Sequence, residues 1–421
     1  MEKSKSRGKN SAFSFLLPYK FRFFVPLVVV LFLLLLGTVA GELANTSRET
    51  FFSHILSVLK SDRKLTGYFT KGGQIYSPSG EIIHLRGINW FGFETPDHVV
   101  HGLWSRPWRS LIKQIAFLGF NAVRIPVCPA TLHSAPVSNI NYQHNPDLQG
   151  KNSLQILDLI IEELDRQGLY ILLDHHRPDC RSISELWYTA NYSEKEWIED
   201  LVFLAKRYAH ITHFLGLDLK NEPHGRATWG TGNYNTDWDK AAARAAKAIL
   251  KANPRILIFV EGIQENPLCS SSQNHWYGGN LEPLACTPLD IPRDKLVLSP
   301  HVYGPDVYPQ SYFEDPDFPQ NLPKIWEQHF GQFAGQYAIV IGEWGGKYGS
   351  KDPRDKVWHE AFVNYLVSKK IYNTFYWSLN PDSKDTGGIL LNDWTTVWQE
   401  KLALLYRFWN AALETRVAQN N

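Results

Sequence analysis

Eight short apolar runs, each parted from the next by a stretch of helical periodicity, constrain what this chain can fold into more than any other feature. They are EIIHLRGINW (81–90), NAVRIPV (121–127), LYILLDHH (169–176), FLGLDLKNE (214–222), RILIFVEG (255–262), KLVLSPHVY (295–303), YAIVIGEWG (337–345) and IYNTFYWSLN (371–380). Their Val, Ile and Leu content reads as strands buried on both faces, as in a parallel sheet. Between them lie stretches such as SLQILDLIIEELDRQG and DWDKAAARAAKAILKAN, with apolar residues at helical spacing. Two helices run into a glycine, Gly119 and Gly168, directly before the next strand, which is a helix C-terminal stop signal. Alternation through eight units predicts an α/β fold, a single (β/α)8 TIM barrel, over an open doubly wound sheet. No G-x-G-x-x-G or G-K-S/T follows the first strand, which weakens nucleotide-binding alternatives. The stretch GYFTKGGQIYSPSGE (67–81) alternates and carries turn signals, so it is expected to form a small N-terminal β-hairpin at the barrel floor.

In such a barrel the site lies at the C-terminal ends of the strands. Those ends hold Asn89-Trp90-Phe91, Arg124, Asp174-His175-His176, Asn221-Glu222, Glu261, His301 with Tyr303, Glu343-Trp344 and Trp377. Every apolar run therefore finishes on a polar or aromatic group. Two carboxyls about 5–5.5 Å apart suit a retaining glycosidase, one protonated as acid and one ionised as nucleophile. Glu222 and Glu343, on strands four and seven, are placed to face each other across the mouth. Their repulsion would raise the acid's pKa while Arg124 keeps the other ionised. Taken singly, each has a plainer reading: a strand-end Glu usually faces solvent, and Arg124 could pair with a structural Asp. Glu261, beside Glu222 on strand five, is either a supporting partner of Glu222 or a plain rim carboxylate, and is read as the latter. Pro223 is expected to hold the Glu222 backbone extended.

Other features bear on compartment and partners. Near-balanced charge, 43 basic against 42 acidic residues, argues against nucleic acid as the main partner. Fifteen Trp and 19 Tyr exceed what a core needs and suit stacking on sugar rings. Trp104, Trp187, Trp229 and Trp276 are expected to line an open cleft, which favours a polymer over a small glycoside. A basic segment precedes the uncharged run Phe23 to Gly41, so residues 1–41 read as a secretory signal peptide, or as a retained type II signal-anchor. The membrane is a partner only in the second case. Residues 42–65 form a pre-domain segment and 66–415 the barrel domain, expected to act as a monomer outside the cytosol. Asn45 and Asn191 begin N-glycosylation triplets. The four cysteines lack C-x-x-C spacing and favour disulfides in an exported protein, with three pairings open.

The segments GINWFGFET, VRIP, LDHHRPDC, NEPHG, SPHVYGPDVYPQ, VIGEWGG and WSLNPDSKDTGGIL resemble, in order, the signature segments of glycoside hydrolase family 5. The likeness is greatest to its secreted endo-β-1,4-glucanases and spans about residues 66 to 400. It implies that Glu222 is the acid/base and Glu343 the nucleophile of a double displacement on a β-linked polysaccharide. Asn221 would bond the sugar 2-hydroxyl, Arg124 and Tyr303 would hold the nucleophile, and His176 and His301 would line the reacting subsite. Trp377 would be the stacking platform. The resemblance implies no cofactor and no metal, and His175, His176 and His301 contain no i, i+4 pair. Related cellulases often pair a Cys after strand one with the position of Cys180. That loop here, FETPDHVVHG, has none, so the resemblance points to Cys128–Cys180 and leaves Cys269–Cys286. The chain ends soon after its last helix, so soluble or amorphous glucan is expected over crystalline fibres. A β-mannanase, another family 5 β-glycosidase or a transglycosylase is the near alternative. A non-catalytic cell-surface carbohydrate-binding protein is the distant one.

Overall fold

A computed structural model describes residues 67–265 and 275–420, with side chains to 414. The signal or anchor segment, the pre-domain segment, Asn45 and Cys269 lie outside the described residues. Eight parallel strands close into a barrel: β4 (Arg86–Asn89), β5 (Ala122–Val127), β6 (Tyr170–His175), β7 (Phe214–Asp218), β8 (Leu257–Val260), β9 (Leu296–Leu298), β10 (Ala338–Trp344) and β11 (Asn373–Tyr376). Each pairs with its sequence neighbours, and β11 closes on β4 through Thr374–Arg86, Phe375–Gly87 and Tyr376–Ile88. This is the expected (β/α)8 architecture.

The floor is a three-stranded antiparallel sheet rather than a two-stranded hairpin: β1 (Phe69–Lys71), β2 (Gln74–Tyr76) and β3 (Ile82–Ile83). Gly72 and Gly73 make the first turn with φ of +55° and +77°, where a side chain would be strained. The third strand comes from the start of the first apolar run, which therefore divides between two sheets. Ile83 pairs with Ile75 in the floor, while the run resumes as barrel strand at Arg86. Ile75 and Ile83 join Leu172, Leu215, Leu257 and Val340 in one apolar cluster that seals the bottom of the barrel.

The barrel's inner face explains how apolar strands deliver polar groups. Side chains alternate along a strand, so residues two apart share a face. Above the sealed floor the inward positions turn polar: Ala122 is followed by Arg124, Leu172 by Asp174, Phe259 by Glu261 and Val297 by Ser299. One step further up stand His176, His301 and Trp377. Register irregularities in the β6–β7 and β10–β11 pairings interrupt strict alternation before Asp218 and Glu343.

The outer layer includes helices Trp108–Phe117, Ser153–Arg166, Glu194–Arg207, Trp238–Ala252, Leu322–His329, Arg354–Lys369 and Gln399–Asn420. Full capping boxes start two of them, Asn152 with Gln155 and Ser193 with Glu196. Gly119 and Gly168 sit at φ of +83° and +73° just past their helices, as their positions predicted. Trp187 and Trp229, expected in the cleft, are each only 1% exposed. Trp187 packs against Trp197 and Trp238 beneath the loops, so apolar burial claimed these rings. Among the described residues no helix is long and apolar enough to cross a membrane.

Candidate active site

A cleft of about 500 Å3 opens at the C-terminal ends of the strands. His176, Asn221, Glu222, Tyr303, Glu343 and Trp377 line it, all of them foreseen from the sequence. Arg124 and His301 are fully buried beside it.

Arg124 organises the chemistry. A guanidinium with no solvent contact is tolerated only when its N–H groups are met by acceptors. Its Nε donates to Asp218 Oδ2 at 3.1 Å, and Nη1 donates to Asn89 Oδ1 at 3.1 Å and Glu343 Oε1 at 2.6 Å. Its Nη2 donates to Asn221 Oδ1 at 3.3 Å and lies 3.0 Å from Asp174 Oδ2 and 3.4 Å from Glu261 Oε1. These carboxylates drive the guanidinium's pKa still higher against the penalty of burial, so it stays charged.

Glu343 takes a second short bond: the Tyr303 hydroxyl donates to Oε2 at 2.6 Å. Glu222 has no such cation. Its Oε1 lies 3.1 Å from His301 Nδ1, and its side chain keeps 16% exposure toward the cleft. One carboxylate oxygen from each Glu, with a ring nitrogen of His301, falls within a span of 4.8 Å. Strands β7 and β10 stand three steps apart around the ring rather than diametrically opposite. The two side chains converge over the end of β9, where His301 lies between them.

Burial pushes both carboxyls upward, but unequally. Glu222 rises well above the ordinary range, first from burial and then from the charge of Glu343. The rise at Glu343 is opposed first by Arg124, then by His176 and the Tyr303 hydrogen bond. Burial lowers His301 far below the usual imidazole range, helped by Arg124, so it is neutral. His176 Nδ1 is fixed by Asp174 Oδ2 at 2.6 Å. Trp377 lies nearly parallel to Phe91 and His176, at 5.5 and 5.8 Å between centroids, and its Nε1 donates to Ser383 Oγ at 3.2 Å.

Three expectations change. Glu261 is not a rim carboxylate: it is 0% exposed, because the inward face of β8 continues past Phe259 into the barrel mouth. The Glu222 backbone is not extended but left-handed, at φ +53°, so Pro223 did not decide its conformation. Of the four tryptophans offered for the cleft, Trp276 alone lines it; Trp104, 38% exposed, packs on His101 and Trp394 instead.

The sequence reading also missed Asp218 and Lys220 as members of the site, and gave Asn89, which it named at the end of strand one, no role. Asp218 is pushed up to about 8 by burial, against Arg124. Buried Lys220 donates to the Asn221 carbonyl and is lowered to about 8 by desolvation. Period-two counting from Asn221 would not have found Asp218, because the chain leaves strand geometry after it. Three His/carboxylate groupings here have the donor types of a metal site, and Arg124 reaches a carboxylate in each.

Cys128 and Cys180 are bonded, with their Cα atoms 5.2 Å apart, and this ties the end of β5 to the loop after β6. Cys286 is also disulfide-bonded, and its expected partner Cys269 lies outside the described residues.

The sequence profile of Cellulase (glycosyl hydrolase family 5) matches residues 79–383. The chain is 59% identical over 343 residues to the major extracellular endoglucanase of Xanthomonas campestris pv. campestris, covering 81% of this chain and 71% of that protein. It is 46% identical over 345 residues to an endoglucanase of Paenibacillus polymyxa, covering 81% and 86%. The solved catalytic domain of the Xanthomonas enzyme superposes with a TM-score of 0.81 at 58% identity, covering 82% of this chain and 99% of that one. An endocellulase of Pyrococcus horikoshii in complex with cellotetraose superposes with a TM-score of 0.79 at 47% identity, covering 82% and 98%.

Proposed function

The chain belongs to glycosyl hydrolase family 5, the cellulase family, and on that premise we propose that Glu222 and Glu343 perform a retaining double displacement on β-1,4-glucan. It is a glycoside hydrolase, an endo-β-1,4-glucanase by its likeness to named endoglucanases. The observation that carries the assignment of roles is the asymmetry of the two carboxyls. Their oxygens fall within 4.8 Å, near the spacing of about 5–5.5 Å that retaining enzymes use and short of the roughly 6.5–9.5 Å of inverting ones. Arg124 and Tyr303 hold both oxygens of Glu343, which favours its ionised form and aims it. Glu222 has no cation bonded to its carboxyl, is buried and is repelled by Glu343, which together favour its protonated form against the more distant Lys220 and Arg124.

In the first step Glu343 attacks the anomeric carbon as Glu222 protonates the departing oxygen. In the second, the Glu222 carboxylate takes a proton from water, which cleaves the glycosyl-enzyme. Asn221, fixed by Arg124, bonds the 2-hydroxyl, and Trp377 supplies an apolar face for the reacting sugar. His176 lines the same subsite, and His301 stands buried beside it. We place the enzyme outside the cell, with 1–41 as its export segment and 66–415 as its catalytic domain. The extracellular Xanthomonas relative and the Cys128–Cys180 bond support this. Asn191 is exposed and available for glycosylation.

The test is turnover of soluble β-1,4-glucan, mannan and xyloglucan by the purified protein and its Glu343→Ala and Glu222→Gln variants, with product anomers read by NMR. Glucan cleavage with retention, and losses of roughly 10^4-fold or more in Glu343→Ala, are expected. Near-normal turnover in either variant rejects the roles.

A further inference from the structure

We propose that Glu261 is a positioning residue for the acid/base, holding the Glu222 main chain by a direct bond and packing against the imidazole that meets its carboxyl; this rests on the role assigned to Glu222 above. The need for such a residue comes from the Glu222 backbone. A φ of +53° is unfavourable for any side-chain-bearing residue and persists only where the surroundings hold it. Glu261 does so directly, since the Glu222 N–H donates to its Oε2 at 2.8 Å. Its other oxygen, Oε1, lies 3.2 Å from His301 Nε2. The opposite ring nitrogen of His301 is the atom 3.1 Å from Glu222 Oε1. One buried side chain thus bonds the acid's main chain and stands against the imidazole that meets its carboxyl.

The loop after β8 is shaped around this contact. Gly278 N–H donates to the Pro223 carbonyl at 3.2 Å, and Gly262 N–H donates to the Gly278 carbonyl at 2.7 Å. A Cβ on Gly278 would stand 2.1 Å from Glu261 Oε2 and 3.1 Å from the Glu222 Cα, and its φ of +68° is itself a glycine conformation. The Glu261 carboxylate occupies the space that the missing side chain leaves. The Glu261 carbonyl is anchored in turn by Trp238 Nε1 at 2.9 Å.

A residue that acts through the acid has a signature that loss of folding lacks. Bond cleavage needs the acid when the leaving group is a poor one, and does not when the leaving group departs unaided. Glu261→Gln and Gly278→Ala are compared with wild type on phenyl β-cellobioside and dinitrophenyl β-cellobioside, reading kcat/KM. Both variants are expected to lose about 100-fold on the phenyl substrate and less than about threefold on the dinitrophenyl one, the scale of a misplaced catalytic group. Equal losses on both substrates, or none on either, overturn the proposal. Glu222→Gln is run beside them. If it shows the leaving-group selectivity and Glu261→Gln does not, this inference alone falls. If Glu222→Gln shows none, the acid/base assignment falls and takes the inference with it.

Discussion

Tyr303→Phe isolates the electrostatics of the nucleophile, because the substitution removes one atom and keeps the ring. The lost hydroxyl donates to Glu343 Oε2 at 2.6 Å from a largely buried position at the cleft. Burial and the Glu343 charge hold its own pKa well above the ordinary phenol value, so it is a donor across the whole working range. His301 Nδ1 does not replace it, since it stands 3.6 Å from Oε2, beyond hydrogen-bond range. A hydrogen bond to a charged group contributes about 1.5–3 kcal/mol. Since it favours the ionised form, its removal raises the Glu343 pKa by about 1–2 units at roughly 1.4 kcal/mol per unit. Activity requires Glu343 ionised, so the acid limb of kcat/KM against pH shifts upward by that amount. The basic limb, which reports loss of the proton from Glu222, moves less. The assay is a pH profile of kcat/KM on a soluble oligosaccharide for both proteins. An acid limb that stays in place or moves downward refutes the reasoning, because Tyr303 would then not stabilise the charged carboxylate.

Two further outcomes concern stability. Cys128→Ser frees a crosslink spanning 52 residues, and chain entropy alone puts the cost near 4 kcal/mol, read as a lower denaturant midpoint. An unchanged midpoint would mean that the loop after β6 is held by its other contacts. Glu222→Gln should change stability with a definite sign. The folded pKa of Glu222 is raised, so its contribution is complete below the ordinary carboxyl value of about 4.3 and is lost as pH rises through the folded value. Glutamine has no proton to lose, so the variant's Tm should climb relative to wild type as the solution is made more alkaline. A difference that is flat with pH would show that Glu222 is not perturbed.

How legible the site was depended on the kind of information each part required. The barrel was legible because burial on both faces forces Val, Ile and Leu into eight separate runs, and helices between them leave parallel pairing as the outcome. The residues that line the cleft from the strands were legible because they end those runs. Trp187 and Trp229 were not, since a ring suited to stacking on sugar is equally suited to a core, and only packing decides which it joins. Glu261 looked like any strand-end carboxylate until period-two alternation past Phe259 turned it inward, against His301 and Arg124.

The sequence by itself determined the architecture, the location of the chemistry and the pair Glu222 and Glu343. Those follow from periodicity and from groups placed at the ends of strands. Tertiary structure decided what surrounds each carboxyl, because that depends on distances between residues far apart in the chain. Arg124 and Tyr303 reach Glu343, and neither reaches Glu222. It also decided the left-handed backbone of Glu222, which the following proline could not have announced and which a carboxylate 39 positions away holds in place.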